Sequence, residues 1–348
     1  MKLRPFIASS IAALSLLSVA PAAFAQQGGA NRGQAASSLP PALRAAVLSG
    51  NSQAISRALT TLAGGNPQQM AALAAQVVAA AEGILATNPQ AAIAIAGAAV
   101  DAVRSTSVQN SAPQQTETVI TTAARIFVSP AAQRVAPDAA ASLANATLQV
   151  ASTTSNSALI ANTARSAVAT AENLLATNPA AAVQLAGAAV QSVSSSTVSQ
   201  TSPNQTMEVA TTAARILINP QAQQAAAQSV GSIAVAVSQL VSNPAVYQSS
   251  PTGAVAVMAN AYSASTSQSV STANPGAGAS VTQVLNAAST SNALGSANPN
   301  NSTQINAILA NKGTNPTSPT NTQKVEQRDV KSPEFPVESE QNNTTSPN

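Results

Sequence analysis

Apolar residues recur along the first two thirds of the chain at steps of three and four residues, which is the spacing of one helical face. After Pro67 this stripe contains Met70, Leu73, Val77, Val78, Ala81, Ile84 and Leu85. After Pro113 it contains Val119, Ile120, Ala123, Ile126 and Phe127. The strict alternation of apolar and polar residues that marks a half-buried strand is not sustained over any long stretch. The pattern therefore predicts an all-α fold.

Asn-Pro pairs mark the predicted starts of these helices. Asn is a favoured N-cap, and Pro is tolerated at the first helical position because the backbone N–H there has no helical partner. The clearest starts are Asn88-Pro89 and Asn178-Pro179. The same pair recurs at Asn66-Pro67, Asn219-Pro220 and Asn243-Pro244, and weaker versions occur at Ala112-Pro113, Ser129-Pro130 and Ser202-Pro203. Starts roughly 16 to 26 residues apart fit one helix followed by a short turn.

The helical pattern repeats with an offset of 90 residues. Residues 81–130 and 171–220 align without a gap and share 28 identities in 50, including the hexapeptide TTAARI. Biased composition raises the number of chance matches, but it does not place an identical hexapeptide in the same register. We therefore predict an internal duplication, with copies at about 66–155 and 156–245 and about four helices in each.

The abundance of alanine predicts how these helices assemble. Alanine is the best helix former, but its side chain contributes little apolar area, so a lone hairpin would be marginal at ~25 cal/mol per Å² buried. Stacking hairpins on one continuous core solves this problem. We expect an array of antiparallel helical hairpins, either solenoid-like or a bundle, over residues 41–262. A flexible lead-in at 26–40 and a disordered, Ser/Asn/Thr/Pro-rich tail at 263–348 complete the predicted organisation.

The N-terminus has the three parts of a secretory signal peptide. Lys2 and Arg4 form the basic part, residues 7–19 form the apolar part, and the small residues around Ala25 form the cleavage site. An uncleaved membrane anchor is the alternative, but the apolar run is shorter than the ~20 residues that span a bilayer. The sequence predicts a signal peptide at 1–25 and a secreted protein, in the periplasm, at the cell surface or outside the cell, with no membrane span after cleavage.

The charged residues are few, at 7% of the chain, against about 25% in a typical soluble domain. Removing the signal peptide leaves 12 basic and 11 acidic residues. The basic residues are scattered rather than clustered on one face, and aromatic residues are rare, so we expect no nucleic-acid partner. Residues 216–311 contain no Asp, Glu, Lys or Arg. Low charge repulsion favours self-association or contact with the cell envelope, but for 264–311 the preferred interpretation is a plain secreted linker.

The composition argues against an enzyme. The chain has no His and no Cys, so it lacks the commonest general base, a thiolate nucleophile and the usual zinc ligands. Lysines outside the signal peptide occur only at 312, 324 and 331, which leaves a Ser–Lys dyad few candidates. Glycine-rich phosphate loops are missing from the sequence, and the predicted helical region has no calcium-binding loop. We therefore predict no catalytic residue, no cofactor and no metal site.

Two charges recur at the 90-residue offset. Glu82 corresponds to Glu172, and Arg125 corresponds to Arg215. We predict that each copy forms a Glu–Arg pair between neighbouring helices. The alternatives are a repeated binding feature and two unrelated solvated charges.

Three functional hypotheses follow from this composition. The leading one is a non-catalytic structural or interaction protein of the bacterial cell envelope or extracellular matrix, self-assembling through exposed Ala and Val faces in its most specific form. The alternative is a periplasmic binding or chaperone-like helical scaffold. An ice- or surface-binding array would need regularly spaced Thr, and the pairs at 121–122 and 211–212 are too few. The expected partners are a second copy of the chain or components of the cell envelope.

Overall fold

The computed structural model describes residues 39–310. The predicted signal peptide, with its cleavage site at Ala25, lies outside this range, as do residues 311–348. The described residues form twenty helices and no strands, as the periodicity predicts. Thirteen long helices are α1 Pro41–Ser49, α2 Ser52–Ala63, α3 Pro67–Ile84, α4 Pro89–Ala102, α6 Pro113–Val128, α8 Pro137–Ser152, α9 Ser157–Leu174, α10 Pro179–Val193, α12 Pro203–Leu217, α14 Ala227–Val241, α16 Pro251–Thr266, α18 Pro275–Ser289 and α20 Asn301–Ala310. Seven helices of six residues are α5 Thr106–Ser111, α7 Pro130–Val135, α11 Ser196–Thr201, α13 Pro220–Ala225, α15 Pro244–Ser249, α17 Gln268–Ala273 and α19 Asn292–Ala297.

The long helices form two layers. Each one packs against the next long helix in the chain and against the one after that. The first layer consists of α1, α3, α6, α9, α12, α16 and α20, and the second layer consists of α2, α4, α8, α10, α14 and α18. The chain therefore crosses from one layer to the other at every connection.

Helices within a layer run parallel to one another. Arg125 and Glu82 meet near the C-terminal ends of α6 and α3, and Asn178 meets Asp138 near the N-terminal ends of α10 and α8. Because matching ends meet within a layer and the connections between layers are short, consecutive long helices are antiparallel.

The core between the layers is continuous and is built largely from small residues. One cluster of buried apolar residues extends from Leu39 to Ile305. The side chain of Leu39 is 1% exposed, so the end of the predicted flexible lead-in is fixed against the core. Small side chains allow close contact between helices, and Gly231 on α14 is an example. A Cβ atom at Gly231 would lie 3.0 Å from the Cβ of Ala277 on α18.

The short helices differ from the sequence prediction, which expected only long helices joined by turns. Five successive short helices, α11 to α19, begin after N-caps spaced 24 residues apart: Ser195, Asn219, Asn243, Ser267 and Ser291. Every short helix buries one apolar side chain three residues after its N-cap: Val108, Ala132, Val198, Ala222, Val246, Val270 and Leu294. Six residues make fewer than two turns, so these helices show no 3.6-residue periodicity in the sequence.

The helix starts also differ in detail from the prediction. Asn219-Pro220 and Asn243-Pro244 begin short helices, and Ser129-Pro130 does too. The starts that seemed weaker, Ala112-Pro113 and Ser202-Pro203, begin long helices without a side-chain cap. The residue before each of these prolines is not helical, with φ of −144° and −133°, because proline disfavours a helical conformation in its predecessor.

The helical array does not end near residue 262, and the interpretation of 264–310 as a linker is wrong. Helices α17 to α20 continue both layers up to Ala310. The hydroxyl groups that make this region look like a linker are used within the helices. For example, Thr282 Oγ1 donates to the carbonyl of Gly278 at 2.8 Å, and Ser265 Oγ donates to the carbonyl of Tyr262 at 3.0 Å. Apolar residues such as Val281 and Leu285 are fully buried.

A charge placed in the core should prevent normal folding. Ile126 is 0% exposed, so we expect Ile126→Asp to lower the free energy of unfolding by more than about 4 kcal/mol because an unpaired carboxylate would be desolvated. Leu73→Asp, at a side chain that is 7% exposed, should act in the same direction. Leu48→Asp is the control, since Leu48 is 74% exposed. Urea unfolding followed by circular dichroism measures the three values, and wild-type stability of Ile126→Asp would contradict the packing.

Two glycines should respond in opposite directions to the same substitution. A Cβ atom at Gly97 would meet no atom within 4 Å, so Gly97→Ala should stabilise the protein by up to about 1 kcal/mol through helix propensity. Gly231→Ala should destabilise it by about 1–3 kcal/mol, because the new methyl group would overlap Ala277 and displace Asn274. Thermal unfolding of both variants measures the difference, and an equal effect of the two would exclude close packing of α14 on α18.

Candidate functional site

The two predicted Glu–Arg pairs are both formed between helices of the first layer. Arg125 donates to Glu82 through two nitrogens, with Nε to Oε1 at 2.8 Å and Nη2 to Oε2 at 2.9 Å. Arg215 donates from Nη2 to Glu172 Oε2 at 3.0 Å. Each arginine also donates to a threonine one turn earlier, Thr122 or Thr212. The pairs thus fasten α3 to α6 and α9 to α12.

Both pairs lie at the surface. Their side chains are 42% and 37% exposed for Arg125 and Glu82, and 48% and 39% exposed for Arg215 and Glu172. Solvent screens such pairs, which usually contribute ~0–1 kcal/mol. Their location favours a role in holding adjacent helices rather than a catalytic role, because neither carboxylate lies in an enclosed cavity.

The sequence did not reveal a third pair of the same kind. Arg165 Nη1 on α9 donates to Glu208 Oε2 on α12 at 3.1 Å. These residues have uncharged or different counterparts 90 residues earlier, so comparing the two copies could not find the pair. The separation of 43 residues, which is shared with Glu82–Arg125, was the available signal.

The predicted helix starts are capped by their asparagines. Asn88 Oδ1 accepts from the backbone N–H of Ala91 at 3.1 Å, and Asn178 Oδ1 accepts from that of Ala181 at 3.0 Å. Pro89 and Pro179 occupy the first helical positions. Asn178 also donates from Nδ2 to Asp138 Oδ1 at 2.7 Å, so this cap additionally joins two helices of the second layer.

The carboxylates of the described part of the chain all contact other side chains. Each carboxylate between residues 39 and 310 has a side-chain partner, either an arginine or, for Glu117 and Asp138, an asparagine. Three or more His, Cys, Asp or Glu residues do not come together as metal ligands anywhere in this range. Among the helices of the described range, none has both the length and the apolar character needed to cross a membrane.

Two depressions lie on the surface of the described structure, lined by residues between 176 and 243. The smaller, of about 160 Å³, is lined by Ser194, Ser199, Ala236, Gln239, Leu240 and Asn243, and we name it the Ser194 pocket. The larger and more open one, of about 420 Å³, is lined by Ala176, Pro179, Gln221, Gln224 and Ala225. Neither contains an ionisable side chain, so any ligand would be held by neutral hydrogen-bonding groups.

A buried polar cluster fixes the C-terminal end of the array. Tyr247 is 0% exposed, and its hydroxyl donates to Asn301 Oδ1 at 2.8 Å and accepts from Asn298 Nδ2 at 3.2 Å. Asn301 Nδ2 in turn donates to the carbonyl of Ala288 at 2.8 Å. Burial raises the pKa of the Tyr247 hydroxyl above its ordinary value, against the smaller opposing effect of Asn298. The neutral phenol therefore stabilises the fold below pH ~10, and this contribution is lost as the pH rises through the folded-state pKa.

No protein-family model matches the chain, and neither a curated protein nor a solved structure gives a significant match to it. Function must therefore be argued from the geometry of this chain.

The Glu82–Arg125 pair should show a measurable but small coupling. Charge reversal at either residue alone should destabilise the protein, whereas Glu82→Arg with Arg125→Glu should recover part of the loss because the attraction is restored. The coupling in a double-mutant cycle should not exceed about 1 kcal/mol, since both side chains are more than one third exposed. Simple additivity of the two single changes, measured by urea unfolding, would show that the pair contributes nothing.

Proposed function

We propose that the protein is a non-catalytic, exported interaction scaffold of the bacterial cell envelope or extracellular matrix. The observation that carries this proposal is the uncharged C-terminal third of the described array, residues 216–310. In this third the helices continue both layers, yet they contain no Asp, Glu, Lys or Arg. It therefore presents an extended, hydrogen-bonding and electrically neutral surface suited to a partner of low charge.

We further propose that the array is an open α-solenoid built by duplication of a 90-residue unit. The starts of four helices support this. α3, α4, α6 and α8 each begin 90 residues before α9, α10, α12 and α14, respectively. In solenoids each repeat contacts its neighbours only, and the resulting extended surfaces commonly bind other macromolecules.

Self-assembly through apolar faces is a less favoured form of the proposal. Only three large apolar residues in the described range are exposed: Leu48, Val135 and Ile218. A stable apolar interface normally needs a contiguous patch, and these three residues lie on α1, α7 and the end of α12. If copies associate, we expect polar contacts between their uncharged segments, residues 216–310.

A second candidate function is a binding or chaperone-like module in the periplasm. The two neutral depressions, of about 160 and 420 Å³, favour it because they offer unoccupied hydrogen-bonding groups at the surface. A persistent monomer whose melting temperature rises with a ligand is the behaviour expected of such a module.

Localisation tests the proposed function directly. Native protein carrying a tag should fractionate with the envelope or matrix, and Gln248→Lys with Asn286→Lys should release it, because these exposed positions place charge on the uncharged third. Gln115→Lys with Asn145→Lys is the matched control, since these exposed residues lie in the part of the array that already carries charges. Light scattering over a concentration series then distinguishes self-association from binding to another component. A cytoplasmic location, or equal release by both double variants, would exclude the proposal.

A further inference from the structure

The Ser194 pocket lies where the C-terminal ends of α10 and α14 meet the short helix α11. The residues 90 positions earlier lie at the corresponding ends of α4 and α8 and on the short helix α5. Comparing the side chains at the two positions shows which hydrogen-bond donors the Ser194 pocket lacks.

In the first unit this space is occupied by two long side chains. Arg104 Nη2 donates to Gln149 Oε1 at 2.8 Å. Gln109 Nε2 donates to the carbonyl of Val103 at 3.2 Å and to that of Arg104 at 3.1 Å. These three N–H contacts satisfy acceptors at the C-terminal ends of α4 and α8.

The backbone contact of Gln109 is a recurrent device in the array. Gln133 Nε2 donates to the carbonyl of Phe127 at 3.2 Å, and Gln223 Nε2 donates to that of Leu217 at 2.9 Å. In each case a glutamine of a short helix reaches a carbonyl six residues earlier, at the end of the preceding long helix. The contact gives an N–H donor to one of the last carbonyls of the long helix, which have no donor within the helix itself.

In the second unit both long side chains are replaced by serine. Ser194 stands 90 residues after Arg104, and Ser199 stands 90 residues after Gln109. Ser194 Oγ donates to the carbonyl of Val190 at 2.7 Å, and Ser199 Oγ donates to that of Ser196 at 3.1 Å. Within residues 39–310, no group donates to the carbonyls of Val193 or Ser194, or to the side chain of Gln239.

Two of these acceptors, the carbonyl of Ser194 and the side chain of Gln239, belong to exposed residues that line the pocket, near the C-terminal ends of two long helices. Helix C-termini carry partial negative charge and favour cations. A guanidinium group offers five N–H donors in one plane and is permanently charged. We propose that the Ser194 pocket binds the guanidinium group of an arginine side chain from a polypeptide partner, in the space that Arg104 and Gln109 occupy in the first unit.

This inference deepens the proposed function by naming the chemistry of a partner, and it relies on that function only for the source of the arginine. The larger depression shows a related exchange, because Gln224 there stands 90 residues after Arg134. It is more open, so the Ser194 pocket is the site to test.

The binding test uses the isotope-labelled full-length chain and the probe Nα-acetyl-arginine amide. We expect saturable NMR shifts at the backbone amides of Ser194 and Ser199 and at the side-chain amide of Gln239. Nα-acetyl-lysine amide tests charge alone, and Nα-acetyl-glutamine amide tests planar N–H donors without charge. Arginine should bind at least about tenfold more tightly than either control probe, because several charge-assisted hydrogen bonds require both a positive charge and a planar set of N–H donors.

Two double variants, exchanged between the units, complete the test. Ser194→Arg with Ser199→Gln should fill the pocket and weaken arginine binding at least about tenfold. The converse change, Arg104→Ser with Gln109→Ser, should create a second site whose saturable shifts include the side chain of Gln149. Circular dichroism and thermal unfolding check that both variants are folded, and if the converse variant does not fold, the filled variant alone decides.

Three results would each overturn the proposal: no saturable shift at the pocket, equal binding of the lysine and arginine probes, or unchanged arginine binding in the filled variant. The localisation experiment does not depend on this pocket. Failure of the arginine site is therefore distinguishable from failure of the scaffold function.

Discussion

The small size of the alanine side chain constrains the whole molecule. A buried methyl group removes little apolar surface from water, so a pair of such helices gains too little free energy to offset the ordering of its backbone. The structure meets this constraint by giving each long helix except those at the two ends contacts with neighbours on both sides in its own layer and with helices of the other layer. Fully buried residues such as Ala74, Ala96 and Ala186 consequently contribute to the stability of the fold because several helices pack around each of them. Stability is shared along the array rather than concentrated in one centre.

Polar groups follow the same geometry. Hydrogen bonds between distant side chains join helices two places apart, for example Arg125 with Glu82 and Asn178 with Asp138. They therefore reinforce each layer from its outside while the apolar core joins the layers. Most of the charged side chains between residues 39 and 310 take part in such contacts, and the helices after Arg215 carry no charged side chain.

The sequence was sufficient for long helices before residue 262 and insufficient for their connections and for the helices that follow. The stripe from Met70 to Leu85 and the caps Asn88 and Asn178 are local features, so they could be recognised without tertiary information. The short helices escaped prediction because each is defined by an N-cap and one buried residue, such as Asn243 and Val246. Residues 264–310 resembled a linker because serine and threonine are common there, but their hydroxyl groups bond to carbonyls of the preceding helical turn.

Of the candidate sites, too, one could be predicted from the sequence and the other could not. The Glu82–Arg125 pair could be predicted because the same residue types return at a fixed offset, whereas the Ser194 pocket is defined by residues that do not return. Only the structure shows that Ser194 and Ser199 line one depression, and that Arg104 and Gln109, 90 residues earlier, donate hydrogen bonds near the ends of α4 and α8.

The regular 24-residue spacing of the short helices also determines how the array can change in length. Each 24-residue segment supplies one long helix, and successive long helices alternate between the layers. Loss or gain of a single segment would transfer every later helix to the opposite layer and exchange its neighbours. Loss or gain of two segments would preserve both layers and the faces they present. The natural increment of growth or shortening for this architecture is therefore a pair of 24-residue segments, and changes by an odd number of segments would be selected against by packing alone.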